Sequence, residues 1–350
     1  MSYLFAAFIS CFLAPFVTAD NPLPKFCSTN DTVCKQAGIR VQCVVNSDCT
    51  KEVAEGKADL THASAKSMIK YEDNLKIVFG QKLKGVPMKN VQYYGIAVVK
   101  RNSTFDINQL KGRGSCHTGP GRNAGWIIPV GYLLFKEKMP FVQNQYKSAA
   151  EFFGKSCLPG IKTVENVSEA VEDQLCSLCN GSCEAKGDSA FVEALELMAS
   201  GKDDRVAFVK QSSPQAFFKK HPKSYGTESD YKLLCYNGGT KDLSEYEDCY
   251  IGTKPASALV TSKNKFDETV KKYQELFESA KLDDLKKADM IRGDCESLIK
   301  YSGTVVDYLK PYADYYKAVS VGKKNGGSAS SNLVSLNLHI FVIITLAMFI

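Results

Sequence analysis

The chain has 350 residues, of which 44% are hydrophobic and 23% are charged, and its formal net charge at pH 7 is +6. This length allows about two domains, and the composition is typical of a globular protein rather than of a disordered or fibrous one. The positive charges are spread along the chain, without a block of Lys and Arg interleaved with aromatic residues, so no nucleic-acid partner is expected.

The N-terminal residues predict a secretory signal peptide. Residues 1–19 are apolar and end in the sequence VTA, a small-x-small cleavage site, so the mature chain is expected to begin at Asp20. Secretion agrees with the 13 cysteines of the chain, since twelve remain after Cys11 is removed and would allow six disulfides. Four sequons predict N-glycosylation on an extracellular surface, at Asn30, Asn102, Asn166 and Asn180.

Strand and helix patterns alternate in the first part of the mature chain. Alternating and β-branched residues predict strands over residues 39–45, 75–80 and 91–99, and a short helix is predicted over residues 49–56. This alternation predicts an α/β architecture with mixed sheets.

A glycine-rich run, GSCHTGPGRNAGW, occupies residues 114–126. Its glycines and proline exclude a regular element, whereas the apolar residues that follow predict a helix that begins between Asn123 and Trp126, with Pro129 in its first turns. The N–H groups at such a helix start bind anions, and Arg122 adds a planar fork of donors. The run lacks the GKS or GKT ending of a P-loop, so a small anion such as carbonate fits it better than a nucleotide.

The C-terminal region predicts helices followed by a lipid anchor. Helical periodicity covers residues 266–277 and 301–319, and residues 319–331 form a Gly/Ser-rich tether and lipid-attachment region. Small residues, a polar spacer and an apolar end form the signal for a glycosylphosphatidylinositol (GPI) anchor, with Asn325 as the first choice for lipid attachment and residues 332–350 removed. A short tail anchor and a truncated sequence are the alternatives.

The glycine-rich run and the residues after it carry a specific resemblance. The string SCHTGxGRxAGWxIPxG, which begins at Ser115, closely resembles the anion-binding segment of transferrins. The resemblance extends to residues 93–100, 205–210 and 231–235 and spans about one lobe of that family. The chain is thus identified as a single transferrin-like lobe, of the melanotransferrin-like or insect-type divergent kind.

This resemblance implies a two-domain α/β fold with mixed sheets and an interdomain cleft, like that of periplasmic binding proteins. Strands that pass between the domains are implied at residues 93–100 and 254–262. The first, discontinuous domain is then expected to comprise residues 20–92 plus 262–318, and the second domain residues 93–261. Ligand sites of two-domain α/β proteins tend to lie in the cleft between the domains.

The resemblance also implies five disulfides, namely Cys27–Cys49, Cys34–Cys43, Cys157–Cys179, Cys176–Cys183 and Cys235–Cys249. Cys116 and Cys295 are left over, so a Cys116–Cys295 disulfide, two free thiols and pairing with another chain all stay open. A zinc site at the closely spaced cysteines 176, 179 and 183 is the alternative to disulfides there, and an oxidising compartment disfavours it.

Transferrins bind ferric iron through one Asp, two Tyr and one His, with carbonate in the remaining positions. The resemblance places Tyr93 at the first Tyr position, whereas the other three ligand positions carry Ser64, Gly187 and Ser257. The anion-binding set is complete and consists of Thr118, Arg122 and the backbone N–H groups of Ala124 and Gly125. Carbonate is therefore the expected bound anion.

Ferric iron is a hard cation that favours anionic oxygen ligands. Serine and glycine are neutral and do not replace a carboxylate or a phenolate, so weak or absent iron binding is expected. The alternative is a shifted ligand set of Tyr93, His62 and Asp188 with carbonate, which would keep the lobe a working iron binder. The anion loop is either used for binding or retained only because the fold needs it.

These patterns predict an extracellular protein that is GPI-anchored at the plasma membrane, or secreted, and binds a ligand or a protein partner at the cell surface. The alternatives are cell-surface iron transport through the shifted ligand set and a structural or adhesive glycoprotein. The sequence has only 4 histidines and contains no Ser-His-Asp or Cys-His arrangement with a supporting motif, so an enzyme is not expected.

Overall fold

The computed structural model describes residues 22–202 and 204–321. The predicted signal peptide, the predicted lipid-attachment residue Asn325 and the predicted tail over residues 332–350 lie outside the described residues. Within the described ranges, no helix combines the length and the apolar character that a membrane span requires.

Strands and helices alternate along most of the chain, as the sequence predicts. The strands are β1 (Lys25–Ser28), β2 (Gln42–Val45), β3 (Leu60–Ala63), β4 (Leu75–Leu83), β5 (Val91–Lys100), β6 (Gly114–Cys116), β7 (Ser156–Cys157), β8 (Arg205–Lys210), β9 (Tyr231–Leu234), β10 (Thr240–Lys241), β11 (Gly252–Pro255), β12 (Ala258–Ser262) and β13 (Cys295–Lys300). The helices are α1 (Asp31–Cys34), α2 (Cys49–Ala54), α3 (Ala65–Lys70), α4 (Ile128–Phe135), α5 (Gln145–Phe152), α6 (Glu169–Cys176), α7 (Ala190–Ser200), α8 (Ser213–Lys220), α9 (Asp267–Glu278), α10 (Leu282–Lys287), α11 (Val305–Leu309) and α12 (Tyr312–Val321).

The first sheet has six strands in the order β13-β4-β12-β3-β1-β2. β1 pairs in parallel with β2 and β3, whereas β12 and β13 pair antiparallel with β4, so this sheet is mixed. Its strands come from residues 25–83 and 258–300, two segments that are far apart in the chain.

The second sheet contains β10-β9-β5-β8-β6-β7 in that order, and β11 pairs with β5. It is also mixed, because β6 pairs in parallel with β7 and β8 whereas the partners of β5 are antiparallel. Its strands come from residues 91–255. The chain therefore leaves the first sheet after β4, forms the second sheet, and returns to the first sheet with β12.

Two neighbouring strands lie where the chain passes between the sheets. β5 and β11 are antiparallel, and Tyr93 on β5 is paired with Lys254 on β11. The returning segment expected over residues 254–262 is split after Pro255, so that β11 belongs to the second sheet and β12 to the first. Tyr93 and Lys254 are thereby placed side by side at this crossing point.

The C-terminal helix α12 packs against α4, which follows the glycine-rich run. The packing is close, because a Cβ atom on Gly131 of α4 would lie 2.5 Å from the carbonyl oxygen of Tyr315. Helical periodicity over residues 301–319 corresponds to two helices rather than one, since Pro311 lacks the N–H group that a continuous helix needs. The last predicted segment of the first domain thus contacts a helix that lies within the predicted second domain.

The structure contains five disulfides, in the pairs that the resemblance implies: Cys27–Cys49, Cys34–Cys43, Cys157–Cys179, Cys176–Cys183 and Cys235–Cys249. A Cys116–Cys295 disulfide is not formed, so that pairing was wrong. The reason is topological: Cys116 is buried on β6 of the second sheet, whereas Cys295 is buried at the start of β13 in the first sheet.

All four sequon asparagines, at residues 30, 102, 166 and 180, are exposed. Asn30 is the N-cap of α1, where its side-chain oxygen accepts a hydrogen bond from the N–H of Val33 at 3.2 Å. Exposure makes each position accessible to glycosylation, which stays a prediction.

Candidate anion and metal site

The glycine-rich run forms a loop that leads from β6 into a helix. A π-helical turn spans Asn123–Ile127 and continues into α4, with Pro129 in the first turn of α4, so the predicted helix start is confirmed. The first N–H groups that bond back within the helix are those of Trp126 and Ile127, both at 2.9 Å from the carbonyl oxygen of Arg122. The N–H groups of Ala124 and Gly125 precede them and are among the donors that a helix start leaves for other acceptors.

Thr118 faces Gly125 at the bottom of this loop. Thr118 is fully buried, and its Oγ1 has no hydrogen-bond partner among the described residues. A Cβ atom on Gly125 would lie only 2.0 Å from that Oγ1, so glycine is required for the close approach. A buried hydroxyl donor next to helix N–H groups fits a small planar oxyanion, and the loop therefore fits carbonate.

His117 holds the loop in place. Its Nδ1 lies 2.8 Å from the carbonyl oxygen of Gly125, and its Nε2 lies 2.9 Å from the hydroxyl of Ser115. Because a carbonyl only accepts, Nδ1 carries the proton and Nε2 accepts one from Ser115. The imidazole also stacks on Phe208 and meets Trp126 edge to face. The sequence analysis assigned no role to His117, which fixes the carbonyl of Gly125 beside the N–H groups that are predicted to bind an anion.

Burial lowers the pKa of His117 to about 4, so this imidazole is neutral in the folded protein near pH 7. Between the ordinary histidine pKa of about 6.5 and pH 4 the unfolded chain binds the extra proton and the folded chain does not, so stability falls as the pH falls. Acidification from pH 7 to pH 5 is expected to reduce the free energy of unfolding by about 2 kcal/mol through His117 alone. Urea unfolding at both pH values measures this, and a His117→Gln variant should lose that part of the difference. An unchanged pH difference in the variant would contradict the assignment.

Arg122 points its guanidinium at the backbone of a neighbouring segment. Nη1 donates to the carbonyl oxygen of Gly187 at 3.0 Å, and Nη2 donates to the carbonyl oxygen of Lys186. The guanidinium of Arg122, which was expected to hold an anion, thus connects the loop to the segment that contains Gly187, the predicted second Tyr position. A role of Arg122 in binding carbonate stays a prediction.

Tyr93 is the one residue of the predicted ligand positions that is itself a ligand type. Burial raises the pKa of its phenol to about 12, and a hydrogen bond from the Asn123 side chain partly offsets this rise. Asn123 also accepts a hydrogen bond from the hydroxyl of Tyr312, with an O···O distance of 2.5 Å. The anion loop, the crossing strand β5 and the C-terminal helix α12 therefore meet at Asn123.

The other three predicted ligand positions carry residues without an anionic side chain. Ser64 is the N-cap of α3, where its hydroxyl accepts from the N–H of Ser67 at 3.1 Å. Gly187 is exposed, and a Cβ atom there would meet nothing within 4 Å. Ser257 contributes its backbone carbonyl, which accepts from the amide of Gln81 at 2.8 Å. None of these groups replaces a carboxylate, a phenolate or an imidazole.

His62 and Asp188, which join Tyr93 in the alternative ligand set, lie in different surroundings. His62 on β3 is half-buried, with Nδ1 3.3 Å from the carbonyl oxygen of Asp289 and Nε2 3.1 Å from the amide nitrogen of Gln81. Asp188 is exposed and lines a surface cavity with Phe191. The part of the chain that the structure describes contains no group of three or more His, Cys, Asp or Glu side chains suited to a metal ion.

Two basic residues, Lys254 and Arg292, lie near Tyr93. The ammonium of Lys254 lies 5.7 Å from the centre of the Tyr93 ring and 2.5 Å from the side-chain oxygen of Gln92. Burial, and then the charge of Arg292, lowers the pKa of Lys254 to about 8. Arg292 is held by Asp294 through two bonds of 2.8 and 3.0 Å and also stabilises the ionised form of Tyr93. The sequence analysis identified neither basic residue as part of the site.

Known proteins are similar to this chain in sequence and in fold. The transferrin family model matches residues 16–325. Serotransferrin-A of Xenopus laevis is 31% identical over 335 residues, which cover 88% of this chain and 44% of the relative. Transferrin of Blaberus discoidalis is 37% identical over 197 residues, which cover 50% of this chain and 27% of the relative.

The structure also resembles a solved one, that of transferrin 1 from Manduca sexta, with a TM-score of 0.63 and 23% sequence identity. The match covers 86% of this chain and 47% of the Manduca protein, and at this identity it shows the fold alone. The chain thus has the α/β fold of a transferrin lobe. It spans less than half of the length of each of these three proteins.

The chain belongs to the transferrin family, because the family model matches most of its length. Members of this family are iron-binding transport proteins that take up Fe³⁺ with carbonate, and they are not enzymes. How much of that chemistry this lobe retains depends on the site described above.

Proposed function

We propose that this chain is an extracellular transferrin-like lobe that binds a small oxyanion in the loop over residues 117–125 and holds ferric iron weakly or not at all. The observation that carries the proposal is the contrast between the two halves of the site. The anion half keeps a buried hydroxyl on Thr118 against Gly125, and this hydroxyl has no hydrogen-bond partner within residues 22–202 and 204–321. The metal half keeps Tyr93 and has Ser64, Gly187 and Ser257 at the other ligand positions.

Charge supports the same conclusion. A ferric ion needs anionic oxygen ligands, and Tyr93 alone supplies one only after it loses a proton. Burial holds the pKa of that phenol at about 12, and Lys254, whose ammonium lies 5.7 Å from the centre of the Tyr93 ring, would repel a trivalent cation. One phenolate and carbonate are too little negative charge to displace water from Fe³⁺ with high affinity.

A ferric titration in the presence of bicarbonate tests the proposal, because iron-bound tyrosinate has a visible charge-transfer band. We expect the wild-type chain to show no saturable band while it stays folded. A saturable band that depends on Tyr93 would favour the alternative, a working iron binder with His62 and Asp188 as further ligands.

Cell-surface placement is a further part of the proposal, and it is supported by the apolar C-terminal sequence alone. A lipid-anchored lobe would present its anion site and glycosylated surface to a ligand or protein partner outside the cell. A phospholipase specific for phosphatidylinositol anchors should release the chain from intact cells. Retention of the chain on treated cells would contradict the GPI anchor.

A further inference from the structure

Lys254 is a half-buried lysine without a counter-charge. Among residues 22–202 and 204–321 it forms no ion pair with a carboxylate, and its ammonium donates a hydrogen bond to the neutral side chain of Gln92. The other contact of its ammonium is the face of the Tyr93 ring, at 5.7 Å from the ring centre. Buried charges in proteins are normally paired, so a half-buried ammonium without a carboxylate partner leaves room for an anion that is not part of the chain.

Arg292, the neighbouring basic residue, does not provide a counter-charge for Lys254. Arg292 is neutralised by Asp294 through a two-point ion pair. The segment that carries Arg292 lies next to the first sheet, where its backbone N–H donates to Gln81 at 2.9 Å, whereas Lys254 belongs to the second sheet. Among the described residues, Lys254 therefore has no carboxylate partner at the point where the chain passes between the two sheets.

A short chain of contacts connects Lys254 with the anion loop. Lys254 lies over Tyr93, Tyr93 is hydrogen-bonded to Asn123, and Asn123 is followed directly by Ala124, which presents one of the anion-binding N–H groups. On the other side of the loop, Thr118 offers a buried hydroxyl that has no partner in the described chain. Thr118, the loop N–H groups and Lys254 are thus connected through Asn123 and Tyr93, and Arg122, which donates to two backbone carbonyl oxygens, is a second cation beside the loop.

We propose that Lys254 supplies the positive charge that a ferric ion supplies in an iron-binding lobe, so that this site binds a small carboxylate anion without metal. The inference rests on the proposed function, because it uses the same anion loop. Thr118 and the loop N–H groups bind one carboxylate group, and the ammonium of Lys254 neutralises the anion from the side of Tyr93. The ligand class is a carbonate or a small dicarboxylate.

Calorimetric titration of the full chain, freed of metal with a chelator, tests this inference with oxalate as the probe. We expect oxalate to bind at one site without iron, and added Fe³⁺ to leave its affinity unchanged. Lys254→Met should weaken binding about 10- to 100-fold, the range of one charge-assisted hydrogen bond. Lys254→Arg keeps the charge and should stay within about fivefold of the wild type. The matched control is Lys263→Met, at an exposed lysine near the end of β12.

Two further probes define the ligand class. Bicarbonate should compete with oxalate, whereas sulfate, which is tetrahedral, should compete poorly with a planar group. Near-ultraviolet circular dichroism establishes that each variant is folded.

Equal oxalate affinity in Lys254→Met and wild type would overturn the role of Lys254 and leave the anion loop in place. Binding of oxalate only after iron is added would overturn both this inference and the proposed function. Loss of affinity in Lys254→Arg as large as in Lys254→Met would show that the lysine acts through packing and would also overturn the inference.

Discussion

Gly125→Ala is expected to abolish anion binding and to lower the free energy of unfolding by about 1–3 kcal/mol, the usual cost of overpacking a core. The new Cβ atom would lie 2.0 Å from Oγ1 of Thr118 and 2.8 Å from its backbone nitrogen. Thr118 is fully buried and cannot move aside without shifting the loop. The hydroxyl and the helix N–H groups would then no longer point at a common position.

The measurement is a calorimetric anion titration together with urea unfolding. Gly187→Ala is the matched control, because this glycine belongs to the same region and a Cβ atom there meets nothing within 4 Å. We expect the control to bind and unfold like the wild type. Anion binding by Gly125→Ala at wild-type affinity would show that the anion does not lie against this helix start.

Rebuilding the ligand set is expected to convert the lobe into a ferric-iron binder. The variant carries Ser64→Asp, Gly187→Tyr and Ser257→His, with Lys254→Val to remove the repulsive charge. The local structure accepts the first two changes, since aspartate caps a helix as well as serine does and residue 187 has open space for a side chain. We expect a saturable charge-transfer band and a gain in ferric affinity of at least ~1,000-fold, because two anionic oxygens and an imidazole are added.

The same variant with Lys254 restored separates the effect of the added iron ligands from the effect of removing a positive charge. Two unit positive charges that are about 6 Å apart repel each other by about 3 kcal/mol at an effective dielectric constant of about 20. The chain that retains Lys254 should therefore bind iron at least about 100-fold more weakly than the chain with Lys254→Val. Equal affinities would show that Lys254 does not oppose a cation in this site.

The helix start and the anion loop could be predicted from sequence because their signals are local. Glycines, a proline and an apolar run within residues 114–134 define a turn that leads into a helix, and the resemblance to transferrins adds the chemistry. The short strand β2 shows the limit of local patterns: alternation begins at Ile39, but the ladder with β1 begins only at Gln42, which pairs with Lys25. Pairing with a partner strand, and not propensity alone, decides where a strand starts.

The basic side of the site could not be predicted, because it depends on tertiary contacts. Lys254 lies on β11 of the second sheet, whereas Arg292 lies just before β13 of the first sheet, so the two residues come near Tyr93 only after the chain has crossed between the sheets twice. Nothing in the residues around Arg292 indicates this proximity. The same reason applies to α12, whose apolar residues predict a helix but not that it packs on α4.

The role of His117 illustrates a third limit. A histidine within a glycine-rich run is equally compatible with a ligand and with a core residue, and only the contacts with Gly125 and Ser115 show that it supports the loop. Cys116 and Cys295 show that the sequence can also permit a contact that the fold does not form. Counting cysteines permits a Cys116–Cys295 disulfide, and the two-sheet topology excludes it.

The most direct test of the central claim is the ferric titration of the wild-type chain with bicarbonate, followed by visible absorbance, with the rebuilt variant as the positive control. The account predicts a saturable charge-transfer band in the rebuilt variant and none in the wild type, with both proteins folded. A saturable wild-type band that disappears in Tyr93→Phe would contradict it and would establish that this lobe binds iron through Tyr93 and a different set of further ligands.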